Sequence, residues 1–192
     1  MMNLWWRQIG ASVRMLLLAT LVLGVLYPAV GLLLAQALPA QSAGSLVRSG
    51  GEVVGSSLIG QQADGPGLFL PRPSAGEYDA MASGGSNLGP NNPQLVDEIA
   101  QRRAAVAQRE QVNPAQVPPD AVTASGSGLD PDISPAYARL QVPRVSGATG
   151  ISRPALLALI DQHTTAPALG ILGAPGVNVL ELNLAITRTM HP

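Results

Sequence analysis

The residues that could do chemistry gather in two stretches. Residues 79–93 read DAMASGGSNLGPNNP and residues 122–135 read VTASGSGLDPDISP. Ser83, Ser86, Thr123, Ser125 and Ser127 supply hydroxyls, Gly84, Gly85 and Gly126 bare the backbone, and Asn87 and Asp130 add an amide and a carboxylate. Hydroxyls set among glycines could serve a nucleophile elbow, a phosphate loop or an anion-binding nest of backbone N–H groups. The enzymatic templates fail in turn. All eleven basic residues are arginine, so the phosphate-loop lysine and a lysine Schiff base are excluded. The dinucleotide fingerprint fails because Gly126 and Gly128 are followed by Pro131. None of the four serines has glycine both two before and two after it, as an elbow requires.

A serine–histidine couple would have to use His163 or His191, and the latter stands next to the C-terminus. With two histidines and no cysteine, thiolate chemistry and a histidine-based metal cluster are excluded. Asp130 and Asp132 could form a carboxylate pair, but neighbouring acids in a proline-rich turn are commonly solvated. The two stretches therefore read as rigid, self-capped turns that present a polar surface to a partner, with an anion nest as the alternative.

The elements that hold these turns must come from a chain of 192 residues, enough for one domain and an appendage. A net charge of −1 and six aromatics give no pull toward nucleic acid. The 21 glycines and 17 prolines, about a fifth of the chain, favour many turns over a long bundle. Residues 39–45 read as a flexible link. Leu46-Val47 and Val53-Val54 flank Ser49-Gly50-Gly51 as a hairpin. Residues 62–76 read as loop, with Leu68-Phe69-Leu70 as a short buried run. Asn92-Pro93 is a strong helix entry, and Glu98 with Arg102 forms an i,i+4 pair in the helix beyond it. A second helix is expected from Ser134-Pro135, broken at Pro143, and a third from Ser152. On the third, Leu156, Leu159, Ile160 and His163 follow helical spacing, which makes His163 the wet edge of a helix. The run VNVLELNLAI, residues 177–186, suits a strand in the middle of a sheet. The fold class expected is a small mixed α/β domain over residues 46–192.

Ahead of it, residues 15–38 read MLLLATLVLGVLYPAVGLLLAQAL, without charge between Arg14 and Arg48. As a helix this run is about 36 Å long, enough to cross a hydrocarbon core of about 30 Å. A signal peptide cleaved after Ala35-Gln36-Ala37 is the alternative. Arg7 and Arg14 precede the span, so residues 1–14 stay in the cytoplasm and the folded part lies outside. Thr20, Gly24, Pro28, Gly31 and Ala35 recur at near-helical spacing as a stripe that could dock against another helix. Pro28 should bend the helix.

The order of motifs has a likeness. LGVLYP at 23–28, GSSLIGQ at 55–61, RPSA at 72–75, SGGSN at 83–87, TASGSGLD at 123–130, QVPRV at 141–145 and VNVLELNLA at 177–185 run along nearly the whole chain. This order resembles the C-subunit family of the bacterial Kdp potassium-transporting ATPases. The TRTMHP tail departs from the charged ending of that family. The resemblance implies an inner-membrane complex in which this chain meets three Kdp partners: a channel-like subunit, an ATP-hydrolysing pump subunit and a small peptide subunit. It implies a single-pass, non-catalytic accessory subunit with a periplasmic domain. It also implies the role of a catalytic chaperone that raises the ATP affinity of the pump subunit. No cofactor is expected to bind this chain directly; ATP would enter in a ternary complex with the pump subunit. A membrane-anchored periplasmic hydrolase and a cleaved, secreted binding module are the alternatives.

Overall fold

The computed structural model describes residues 2–190. His191 lies outside the described residues. The chain divides after Ser45 into two compact units.

The first unit is helical. Helix α1 (Met2–Leu21) runs into a π turn over Val22–Leu26 and continues as α2 (Tyr27–Ala37). Over Asn3–Ala37 it is long and apolar enough to cross a membrane, with none of its most apolar window buried against the rest of the chain. An all-round apolar surface suits lipid and not a soluble core. The helix begins well before the expected start at residue 15, and Arg14 folds back to donate to the Gly10 carbonyl at 3.1 Å. The π turn answers Pro28. Proline lacks an N–H and its ring crowds the preceding turn. Here the Tyr27 N–H reaches back to the Val22 carbonyl, a residue further than in an α-helix. The wider turn makes room for the ring. Residues 39–45 are not the free link expected. Pro39 starts a one-turn helix, α3 (Pro39–Ser42), closed by Ser45 N–H on the Ala40 carbonyl at 2.8 Å with Gly44 at φ +84°.

The second unit mixes helices with small sheets. Strands β1 (Leu46–Ser49) and β2 (Glu52–Ser56) form the expected hairpin, turning on Gly50 and Gly51, both at positive φ. Helix α4 (Pro93–Glu110) starts where Asn92 accepts from the Gln94 N–H, and the Glu98–Arg102 pair closes at 2.9 Å. Strand β3 (Asp132–Ile133) leads into α5 (Pro135–Thr149), capped by Ser134. Helix α6 (Arg153–Gln162), capped by Ser152, precedes β4 (Thr164–Thr165) and β5 (Gly176–Asn178). The chain closes in α7 (Val179–Met190). Strands β3, β5 and β4 pair antiparallel with β5 in the centre. The core, with Phe69, Tyr137, Leu156, Ile160, Leu182 and Ile186 buried, lies among α4 to α7 and this sheet.

Two expectations are corrected. Helix α5 is not broken at Pro143. Its inward residues Gln141, Val142 and Val145 are buried, whereas Pro143 and Arg139 are exposed. The carbonyl at Arg139 that loses its N–H partner therefore belongs to the solvent side, open to water. Residues 177–186 are not one strand either. Only Gly176–Asn178 pairs, and from Val179 onward the chain is helical. Val179, Leu182, Asn183 and Ile186 are the buried positions, at i, i+3, i+4 and i+7. Asn178 starts the helix by accepting from the Glu181 N–H at 3.1 Å.

The extended segment around Phe69 pairs with no strand among the described residues, so its backbone bonds are made to side chains. Asn183 accepts from the Phe69 N–H at 2.8 Å and donates to the Phe69 carbonyl at 2.9 Å. Gln141 does the same for Leu70, at 2.8 and 3.1 Å. Arg144 donates to the carbonyls of Pro66 and Leu68 at 2.7 and 2.9 Å. Its Nε faces both oxygens of Glu110, a carboxylate with no exposed side-chain surface. Asn183→Leu keeps the branching and the number of side-chain heavy atoms and removes two buried bonds. We expect it to cost about 2–5 kcal/mol, because two buried backbone groups lose their partners. Urea unfolding of the full chain in detergent, followed by circular dichroism, measures this; an unchanged midpoint contradicts it.

Candidate functional site

The two chemistry-bearing stretches meet. The Gly84 N–H donates to the Ser127 carbonyl at 2.8 Å, and the Ser83 hydroxyl donates to the same oxygen at 3.0 Å. Gly128, buried at φ +71°, passes so close that an added Cβ would lie 2.7 Å from the Gly84 carbonyl. A Cβ on Gly85 would lie 3.0 Å from the Gly126 carbonyl. Two more segments join the same junction. The Ser125 N–H donates to the Pro73 carbonyl at 3.0 Å, and the Gly60 N–H to the Leu129 carbonyl at 2.7 Å. Arg72 pairs with Asp130 at 2.6 Å and reaches the Thr123 carbonyl at 3.4 Å. Asn178 donates to the Ser57 carbonyl at 2.9 Å, and the Val179 N–H to the Pro131 carbonyl at 3.0 Å.

The hydroxyls of Ser83, Ser125 and Ser127, with those of Ser74 and Tyr78, are engaged inside this junction. Ser125 Oγ accepts from the Asp130 N–H at 3.3 Å, Ser127 Oγ accepts from the Leu129 N–H at 3.1 Å, and the two oxygens share a hydrogen bond of 3.1 Å. Ser74 Oγ accepts from the Gly76 and Tyr78 N–H groups at 3.2 and 3.0 Å. The Tyr78 hydroxyl donates to the Arg72 carbonyl at 2.5 Å. Burial first, then the nearby Tyr137 and Asp64, push its pKa up to about 12, so it holds its proton at neutral pH. The solvent-facing members are Ser83, Ser86, Asn87, Thr123, Gly126 and Ser127, with Gly84, Gly85 and Asp130 half-buried and Ser125 buried. His163 stands at the C-cap of α6, its Nδ1 2.9 Å from the Leu159 carbonyl. Among the described residues, no group of three or more His, Asp or Glu side chains is arranged to hold a metal. The geometry makes a hydrogen-bonded polar face; among the described residues it supplies no activated nucleophile.

Beside the junction lies an open cleft of about 590 Å³ with Asp120, Asp130, Asp132 and Arg72 on its walls. The sequence pairs Asp130 with Asp132 but misses Asp120, which no local motif marks. Asp120 is held by Ser134, which donates from N–H at 2.7 Å and from Oγ at 2.9 Å. Arg72 is also missed as the partner of Asp130. The Asp132 carboxyl is pushed above its ordinary range by burial, then by the charge on Asp130, against the pull of the Asn178 amide.

In the first unit Thr20, Gly24, Pro28 and Gly31 are exposed and Ala35 is half-buried. From Thr20 to Ala35 a regular α-helix would run about 60° past four full turns. The wide turn at Val22–Leu26 takes up an additional residue, about 100° of rotation, so Ala35 trails Thr20 by about 40° instead of leading it.

The segments that converge on the junction are the ones that carry the likeness noted in the sequence. A family model described as "KdpC: K+-transporting ATPase, c chain" matches residues 9–188. The chain belongs to the KdpC family. It is 50% identical over 182 residues to a potassium-transporting ATPase KdpC subunit of Kineococcus radiotolerans, covering 94% of this chain and 93% of the relative. It is 49% identical over 174 residues to the KdpC subunit of Beijerinckia indica subsp. indica, covering 89% and 88%. It is 53% identical over 167 residues to that of Variovorax paradoxus, covering 85% and 86%. In this KdpC-family chain the blocks GSSLIGQ, RPSA, SGGSN, TASGSGLD and VNVLELNLA are distant in sequence and meet at a single place in the fold.

Substitutions at three positions test the site. Gly128→Ala places a Cβ against backbone at positive φ and is expected to destabilise by about 2 kcal/mol or more. Gly126→Ala, with open space around its Cβ position, should be close to neutral; equal melting temperatures for the two variants would refute the close approach. For Asp132, the folded chain holds the proton to higher pH than the unfolded chain. Its charged form therefore detracts from stability above the folded pKa and detracts nothing below the unfolded one. Asp132→Asn should melt higher than the parent at pH 7, with the difference vanishing at acid pH; a lower melting temperature at pH 7 contradicts this.

Proposed function

We propose that this chain is a non-catalytic accessory subunit of an ATP-driven, high-affinity potassium-uptake pump. It stabilises the assembly of the channel-like subunit with the ATP-hydrolysing one, alongside the small peptide subunit. The observation that carries the reading is the family match over residues 9–188 in a chain whose Ser83, Ser125 and Ser127 hydroxyls are bonded within its own fold. The long apolar helix anchors it in the plasma membrane, inner in a Gram-negative cell. Arg7 and Arg14 keep the N-terminus cytoplasmic and leave the second unit on the periplasmic side. ATP is cytoplasmic, so any effect on its affinity passes through the pump subunit and not through a nucleotide held by Ser83–Asn87 or Thr123–Asp130. These loops meet a protein neighbour.

Within the bilayer, close packing joins helices, so the stripe of Thr20, Gly24, Pro28, Gly31 and Ala35 is the proposed docking face. A Cβ on Gly24 has the Thr20 methyl at 3.9 Å as its nearest neighbour, an ordinary contact. An added Cβ is therefore uncrowded by its own helix. Gly24→Leu, co-expressed with the other subunits, should release this chain from the detergent-purified complex. Undiminished co-purification would remove the docking face from the proposal.

A further inference from the structure

The loop joining β4 to β5 is a second small hairpin. The Ala168 N–H donates to the Leu172 carbonyl at 2.8 Å, and the Leu172 N–H returns a bond to the Ala168 carbonyl at 2.9 Å. The Gly170 N–H adds a bond to the Pro167 carbonyl at 2.9 Å. The tip is apolar and lies almost wholly in water: Leu169 is 89% exposed, Ile171 82% and Leu172 59%. Leu169 also sits at φ +55°, in the left-handed region. A side chain with a Cβ is strained there, and Asn or Gly fits more easily. A turn shaped by folding alone would carry one of those residues. Leucine at this place gives up both backbone ease and burial, while the tip's own hydrogen bonds hold it projecting.

The stem of this hairpin borders the acidic cleft. Ala174, Pro175 and Gly176 line it together with Asp120, Asp130 and Asp132. A Cβ on Gly176 would lie 3.1 Å from an Asp132 oxygen. Arg72 is the cation on these walls, and it is paired with Asp130. An oily tip thus stands beside surplus negative charge, and that combination selects among occupants. A lipid surface fits poorly. Residues 163–178 contain no arginine and no Trp, Tyr or Phe, the groups that seat a tip among headgroups. The acidic flank would be repelled by anionic lipids. A second copy fits poorly too, because a two-fold contact lays the same patch on itself, acid against acid. A different protein with basic groups around an apolar hollow fits both parts.

The geometry points to the Leu169–Leu172 tip as a docking element. It seats in an apolar socket, rimmed by arginine or lysine, on another subunit of the pump. This rests on the accessory-subunit reading above and assigns the contact to a named part of the folded unit.

The test co-expresses the tagged full chain with the other subunits and compares the parent with Leu169→Asn and Ile171→Ser. Asparagine tolerates the left-handed backbone, so Leu169→Asn should leave the melting temperature of the full chain unchanged or raised. Retention of the other subunits on the tagged chain should fall about tenfold for each variant. Retention of the parent should weaken as salt rises, because the rim contact is ionic. Full retention of both variants overturns the inference, as does a loss seen only with a lowered melting temperature. A variant that keeps its subunits but loses binding to phosphatidylcholine vesicles, or loses self-association, assigns the tip to lipid or to a second copy and also overturns it. Release by Gly24→Leu with full retention of the tip variants defeats this inference and leaves the accessory-subunit reading standing. A parent chain that brings down no other subunit defeats both.

Discussion

The folded unit depends on the clamping of residues 66–70 by side chains. A stretch of irregular chain lies against the core, and buried backbone N–H and carbonyl groups need partners there as much as in a sheet. No described strand pairs with it. Asn183 and Gln141 act as substitutes, each presenting an amide to the N–H and carbonyl of one residue, as a neighbouring strand would. Arg144 takes the carbonyls just upstream and is itself fixed by Glu110. Three helices, α4, α5 and α7, thereby converge on one segment. The same clamp positions the next residues along the chain, since Leu70 is two residues from Arg72 and three from Pro73. Those residues deliver the ion pair to Asp130 and the carbonyl to Ser125. The polar junction is therefore downstream of the clamp physically as well as along the chain.

How much of this is legible in the sequence depends on the range of the forces involved. Local signals read well. Asn92-Pro93, Ser134-Pro135 and Ser152 cap helices α4, α5 and α6, because a cap is a contact across two or three residues. The Ser49-Gly50-Gly51 hairpin reads for the same reason. Tertiary demands do not. Val177 to Ile186 is rich in β-branched and leucine residues, and propensity favours a strand. The burial of Val179, Leu182, Asn183 and Ile186 on one face makes it a helix after β5. Pro143 reads as a break, yet on the exposed side of a helix that buries one face it is tolerated. The partnership of residues 82–90 with 122–131 is visible in sequence only as an echo of composition. The close approach that requires Gly128 and Gly60 comes from backbone distant in sequence, Gly84 for the one and Asp130 for the other. Asp120 and Arg72 carry no local signal at all, since each is defined by a partner far along the chain.

The composition that first resembles chemistry has a mechanical explanation. A serine hydroxyl can close a turn by accepting from the N–H two residues on, as Ser127 and Ser74 do here, and Ser125 spans a wider loop to reach Asp130. Glycine lets backbones stack at distances that a Cβ would block. Together they join several loops into one hydrogen-bonded surface beside β5 and the start of α7. The serines at 74, 125 and 127 thus serve to satisfy backbone N–H groups in loops.

A stiff surface without reactive groups can still influence a pump, within a strict bound. A bound subunit shifts a neighbour's conformational equilibrium only by the difference between its affinities for the two states. A pliable subunit would follow its neighbour and leave that difference near zero. A subunit that resists deformation holds one arrangement better than another, and its effect grows with the cost of deforming it. The clamp at residues 66–70 and the glycine-tight junction are what would make that cost high in this chain. In the proposed role, the internal hydrogen bonds that occupy Ser83, Ser125 and Ser127 are the same bonds that give the accessory subunit leverage.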